Sequence, residues 1–412
     1  MSQLLFPSWT HIFSVLLLPY IALCSLLRFR RLRSLQAKYH FPDRASLSRM
    51  TGTEAHEIHH QCSAYEFPFA YDYGLRIAIF KTYALENIGG LLAASSDLMS
   101  TQNVGKRYED TEIIFSSFFQ WPPSSTALHD FVARMNYLHQ PYIKSGRILN
   151  EDMLYVLYLS LVEPMNHQRL YEWRSLTDME VAAGATFWYY IGEMMGIDYQ
   201  SELGKDNWND GIDFLDDLEA WSFKYEDLHL KRLPEVHKLG VNLIDFMLSV
   251  YPRVSHPVVY QAVLLLLGER VRHALSLPEP SLAMSAIFYS SLLVRRFVLR
   301  FLALPRLFPV QNLSDLDVKT GKVHHQRYLK EPWYVAPTFW ARWGPMALCS
   351  RILGIMVPGQ GGARMKPDGF YVEDLGPHRT VGNGAEQMAV MRERIKRVAE
   401  RVAHESPFAT KS

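Results

Sequence analysis

The stretch TDMEVAAGATFWYYIGEMM, residues 177–195, sets the fold class. Thr177 followed three residues later by Glu180 forms a capping box: the hydroxyl and the carboxylate reciprocally satisfy two backbone N–H groups that a helix start leaves unpaired. The apolar run behind it continues as a helix. On either side, apolar residues between positions 45 and 300 recur mostly at spacings of three and four, with few alternating runs, so the reading is all-α. Helices are expected over 43–64, 85–94, 106–119, 125–139, 150–166, 177–195, 208–225, 233–249, 257–274 and 281–304. Ser125 is placed as an N-cap behind the Pro122-Pro123 stop. After about Pro305 the pattern turns to Pro, Gly and aromatic residues (EPWYVAPTFWARWGPM, VPGQGGARMKPDGFY), expected as an irregular segment laid over the helices. Residues 385–404 read as a charged, solvated helix or tail. No repeat at solenoid periods is present.

The chain has 412 residues, 48% hydrophobic and 21% charged, which is enough apolar material for a buried core. Its 43 Lys and Arg against 42 Asp and Glu leave a formal charge of +1, so no global field draws nucleic acid. Cys24, Cys62 and Cys349 are too few and scattered for a disulfide framework or a thiolate metal site, which suits a reducing compartment.

Residues 12–27, IFSVLLLPYIALCSLL, are sixteen without a charge. At about 1.5 Å per residue, a helix of roughly 18–22 residues here crosses a bilayer core of about 30 Å, and Pro19 kinks without forbidding it. A cleaved signal peptide needs basic residues ahead of the apolar run, but Arg28, Arg30, Arg31, Arg33 and Lys38 all follow it. The positive-inside rule then keeps the basic flank and body in the cytosol, with the N-terminal tip in the lumen. The domain reading is 1–34 for tip, anchor and basic flank, 35–380 for the helical body and 381–412 for the charged C-terminal element. A second apolar stretch, 285–304, carries Arg295, Arg296 and Arg300, each costing about 2.5–3.5 kcal/mol near a bilayer centre, so it is not expected to span. It is either a core helix with one cationic face or a helix along the membrane surface. The sequon at Asn312 would in either case stay away from the lumen.

Walker A, Rossmann, G-x-S-x-G and H-E-x-x-H motifs are absent, which leaves nucleotide hydrolysis, nicotinamide binding, lipase chemistry and zinc proteolysis without support. The cluster GQGG at 359–362 reads as a loop. Glu57 and His60 make one E-x-x-H, but a di-iron bundle needs two and further carboxylates, and Glu163 with His167 has the wrong interval. A better constellation is Arg107 and Thr111, four apart on one helix face, with Arg134 and His139 on the next helix. A histidine there is also what a hydrogen-bonded core or capping residue looks like. The functional reading is His139 as ligand of a haem iron, with Arg107 pairing a propionate.

The segments EFPFAYDYGLRIAIFKTYAL (66–85), GKRYEDTEII (105–114), RMNYLHQPYIKSGRILNEDMLY (134–155), YEWRSLTDMEVAAGATFW (171–188) and APTFWARWGPMA (336–347) resemble the fungal mpaB-type endoplasmic-reticulum-bound oxygenases. Those act in mycophenolic acid biosynthesis and related pathways and are distantly similar to the latex-clearing rubber oxygenases. The resemblance implies a single-pass N-terminal membrane helix followed by a large helical haem-binding oxygenase domain. It implies haem b as cofactor, O2 and a lipophilic small molecule as reactants, and residence in the endoplasmic reticulum membrane. Carried over by motif, Arg107 and Thr111 match an Arg-x-x-x-Thr pair in the haem pocket, and His139 matches the axial ligand. A lysine found beside that pair in some rubber oxygenases falls at Asp110, and no acid/base residue is assigned. The implied reaction is oxidative cleavage of a carbon–carbon double bond in a prenyl or terpenoid side chain. The aromatic and methionine content suits such a channel, though most of it is ordinary core. The rival expectation is a haem-free, membrane-tethered scaffold holding a prenylated intermediate or a partner. Substrate, regiochemistry and oligomeric state are not legible.

Overall fold

The computed structural model describes residues 9–94, 100 and 103–409, with side chains from Val15 onward. Among the described residues, the helices that carry the architecture are α1 (Trp9–Arg28), α2 (Arg30–Lys38), α3 (Gly52–His60), α4 (Pro68–Thr82), α5 (Glu86–Ala93), α6 (Val104–Gln120), α7 (Thr126–Lys144), α8 (Asn150–Tyr171), α9 (Asp178–Met195), α10 (Gly211–His229), α11 (Pro234–Leu248), α12 (His256–Leu267), α13 (Leu282–Phe297) and α14 (Ala385–His404). Among the described residues, β structure is limited to isolated bridges such as Leu313 with His325 and Val323 with Phe370.

The capping box at Thr177 and Glu180 is present, and α9 ends at Gly196 in the left-handed region, φ 86°, where a Cβ would be strained. α9 is buried nearly all round and packs against α3, α8, α10 and α14. Beside it α4 and α8 cross so closely that a Cβ on Gly74 would lie 2.5 Å from the Cα of Pro164. α4 falls outside the expected helices, because its burial on several sides leaves no apolar stripe. Two expected helices are broken. The one over 43–64 splits into a short turn at Ala45–Arg49 and α3, which starts on a second capping box, Thr51 with Glu54. The one over 257–274 is interrupted at Gly268, φ 78°.

Residues 303–384 wrap over the helices as an irregular segment, burying Trp333 and Tyr334. Arg134 clamps that segment rather than facing a cavity: its buried guanidinium donates to the carbonyls of Leu375 (2.9 and 2.7 Å), Thr380 (2.8 Å) and Asn383 (2.6 Å). Asp110 is a second clamp, accepting from Lys106 (2.6 Å), Tyr334 (2.9 Å) and the Gly376 amide (2.9 Å). The C-terminal helix is present as α14, but it is not solvated all round. Met388, Ile395, Ala399 and Val402 enter the main core, with the charges on the other side.

Membrane topology departs from expectation in one respect. Among the described residues, the helix long and apolar enough to cross a membrane is Leu282–Leu302, α13 with its continuation into a π turn, and not the N-terminal stretch. The first expected residues of the anchor lie outside the described side chains. α1 itself is a continuous twenty-residue helix whose Leu16, Leu18, Leu23 and Leu26 are exposed.

Candidate functional site

Two cavities meet along α6. Arg107, Thr111 and Phe115 are successive i, i+4 residues, so they form one ridge of that helix, and together with Ile79 and Tyr83 they line both spaces. The Thr111 hydroxyl donates to the Arg107 carbonyl at 2.9 Å, which fixes its rotamer against the helix.

The inner cavity spans about 1040 Å³ including open solvent. Its wall is mostly apolar, with Leu91, Leu92, Met135, Met153 and Trp188 contributed by α5, α7, α8 and α9. His139 of α7 lines it with Arg107 and Thr111, so the structure brings the three expected site residues to one cavity. α7 continues past the expected end at His139, through Pro141 to Lys144. Burial, and then the positive charge of Arg107, pull the imidazole down to about 4, so the ring is neutral at pH 7 with a free nitrogen lone pair. No hydrogen bond holds either ring nitrogen, and Arg107 has no ion-pair partner, among the described residues. Arg147 and Asp152 line the same mostly apolar space, and the Arg107 guanidinium adds a positive group that suits an anionic substituent on an occupant.

The outer cavity, about 1200 Å³ including open solvent, carries the charges that sequence reading missed. Arg76 of α4 reaches Asp72 (3.3 Å) and Glu112 (2.9 Å) and donates to the Tyr108 hydroxyl. Burial raises Glu112 to about 7, with Arg76 opposing the rise, and its Oε2 has no hydrogen-bond partner among the described residues. A carboxyl that exchanges its proton near neutrality is the group here suited to proton transfer. Behind it Glu109 and His325 sit 3.3 Å apart, both buried. Burial pushes Glu109 well above the usual carboxylate range and His325 down to about 3, so the imidazole is neutral at pH 7 and the contact is no ion pair. The signal for this cluster was the Asp72-x-x-x-Arg76 spacing, which marks a helix-face pair but says nothing of Glu112 on another helix.

Other candidates fall elsewhere. Glu57 is held by Lys38 and Tyr39, each at 2.5 Å, while His60 donates to the Phe119 carbonyl (2.9 Å) at the edge of the outer cavity. His167 bonds its own helix at the Glu163 carbonyl, 2.9 Å. Among the described residues no group of three or more His, Cys, Asp or Glu side chains is placed to hold a metal ion. Gly359 and Gly362 lie in a turn with positive φ, as a loop requires.

No protein-family model matches the chain. Comparison with curated proteins finds 34% identity to the ER-bound oxygenase mpaB′ of Penicillium brevicompactum, over 94% of this chain and 92% of the relative. The ER-bound oxygenase mpaB of the same organism is 32% identical over 89% of this chain and 88% of the relative. The ER-bound oxygenase mpaB of Penicillium roqueforti is 34% identical over 65% of this chain and 91% of its own length. Identity at this level, across about nine-tenths of the chain for the first two relatives, shows that the chain belongs to the mpaB-type family of ER-bound oxygenases.

Proposed function

We propose that the protein is a haem-dependent oxygenase, anchored by α1 in the endoplasmic reticulum membrane with its body in the cytosol. It uses O2 to cleave an isolated carbon–carbon double bond in a prenyl or terpenoid chain during secondary metabolite biosynthesis. One observation carries the reading: a neutral, unbonded imidazole and an unpaired guanidinium share the wall of one large apolar cavity. A lone histidine completes the coordination of a metal whose remaining ligands arrive with the cofactor, which suits haem b. His139 would ligate the iron, Arg107 would pair a propionate, and the Thr111 methyl and Phe115 would close the partition towards the outer cavity. Haem, when bound, would supply the oxygen chemistry that no side chain here can perform.

The chain's own part is binding, orientation and exclusion of water. An apolar substrate fits the outer cavity along Leu75, Ile79, Phe115 and Phe119, while Glu112 holds a proton at its carboxyl on the same wall. The spectrum of the purified full chain supplemented with haem tests the proposal. A Soret band that His139→Ala abolishes or shifts supports it. Absence of any band in the wild type favours the haem-free scaffold, and a band unchanged by His139→Ala removes the ligand assignment. Deleting residues 1–34 should lower turnover of membrane-dispersed substrate more than of detergent-solubilised substrate, and equal losses would refute a delivery role for the anchor.

A further inference from the structure

We propose that Leu282–Leu302 is a second membrane element, lying in the plane of the bilayer surface with its uncharged face in the lipid. The inference rests on the membrane-bound reading above, but it concerns a face that the reading does not use. None of this helix's apolar window is buried inside the protein. Two of its three arginines, Arg295 and Arg300, which argue against spanning when the sequence is taken alone, are turned inward and occupied. Arg295 donates to the Tyr171 carbonyl (3.0 Å) and Glu172 (2.9 Å) and lies 4.1 Å over the Phe69 ring. Arg300 lies 4.5 Å over the ring of Phe29. The opposite face presents Ile287, Leu293, Val294 and Phe297, each more than half exposed, at i, i+3, i+4 spacings that place them side by side with no charge between them.

The helix does not cross the bilayer, because both its ends are fastened to the same body. At the start, the Ser281 amide donates to Gln261 of α12 at 2.7 Å, and α12 belongs to the packed core around α11. At the finish, the Val310 amide donates to the carbonyl of Ala64 in the body at 2.9 Å, while Tyr20 (2.9 Å) and Arg28 of the anchor α1 donate to the carbonyls of Leu302 and Ala303. The occupant is lipid for two reasons. The end of the helix meets α1, itself carrying exposed leucines, at Tyr20 and Arg28, and the chain runs on into the exposed Leu307 and Phe308. The exposed Arg30 and Arg33 stand just beyond the α1 contact and complement a phosphate headgroup layer. Val310 and Asn312 line the outer cavity, and Val310 follows Phe308 by two residues, a reach of about 7 Å. This edge of the cavity is therefore next to the lipid face, where a terpenoid leaving the bilayer arrives first.

The full chain carrying Cys349→Ser, with Cys24 and Cys62 buried, accepts single reporter cysteines at Leu293→Cys, Phe297→Cys and, as a water-facing control on α14, Val390→Cys. Each is labelled with bimane and reconstituted in phosphatidylcholine vesicles whose acyl chains carry bromine. Quenching several-fold stronger at 293 and 297 than at 390 is expected. A chain that floats with the vesicles but is quenched equally at all three sites overturns the in-plane helix and leaves the anchor standing. A chain that does not float overturns both. Labels at 293 and 297 that escape lipid bromine, yet become shielded from aqueous iodide as protein concentration rises, mean that a second copy covers the face, which also overturns the proposal.

Discussion

Replacing Glu112 by glutamine should flatten one part of the protein's pH dependence of stability. Burial lifts this carboxyl from 4.5 to about 7; Asp72 adds to the rise, while Arg76 at 2.9 Å and Arg327 oppose it. The folded chain therefore binds the proton more tightly than the unfolded chain does. The associated stability is fully present below about pH 4.5, falls through the interval, and is lost above about pH 7. At roughly 1.36 kcal/mol per tenfold change in proton affinity, the difference amounts to about 3 kcal/mol. Unfolding entropy near 2.1 cal/mol/K per residue makes this about 3–4 °C in melting temperature for a chain of 412 residues. Glu112→Gln also weakens the partner set of Arg76, but an amide does not titrate, so that loss is an offset rather than a slope. The assay is thermal melting of both proteins in detergent at several points between about pH 5 and 8. Wild type should lose about 3–4 °C relative to the variant across the range. Parallel curves would refute the assignment of a near-neutral carboxyl to the outer cavity.

Gly74→Ala should cost about 1–3 kcal/mol, because the new Cβ meets the backbone of Pro164 at 2.5 Å and α4 must move off α8; Gly90→Ala, with open space around it in α5, should gain about 0.5–1 kcal/mol, and melting temperatures of opposite sign check the pair. Arg134→Met should cost about 3–5 kcal/mol, since it strips donors from the carbonyls of Leu375, Thr380 and Asn383, and hydrogen exchange over 376–384 should accelerate well before the helices are affected.

Helices with one buried face or a side-chain cap were readable. The box at Thr177 marks α9 to the residue, and the box at Thr51 and Glu54 would have divided the expected 43–64 helix had it been weighed against the apolar periodicity. α4 could not be read this way. Its sequence is apolar on several faces because α8 and the outer cavity surround it, and periodicity vanishes when there is no solvent side. α14 shows the opposite error: charge density suggested full solvation, yet Met388, Ile395, Ala399 and Val402 make a stripe of helical spacing beneath the charges.

The site divides along the same line. That Arg107 and Thr111 share a face follows from a four-residue interval, but that His139 meets them depends on how α6 and α7 cross; adjacency in sequence suggested it and the family resemblance strengthened it. Arg134, on the same helix as His139 and equally suggestive in sequence, turns the other way and holds backbone carbonyls. The arginines of α13 make the sharpest case. Summing a membrane cost per charge assumes that each charge faces lipid, whereas Glu172 and the rings of Phe69 and Phe29 take Arg295 and Arg300 on the inner side. Membrane contact is a property of a face, and residue-by-residue addition loses it wherever the opposite face has its own partners.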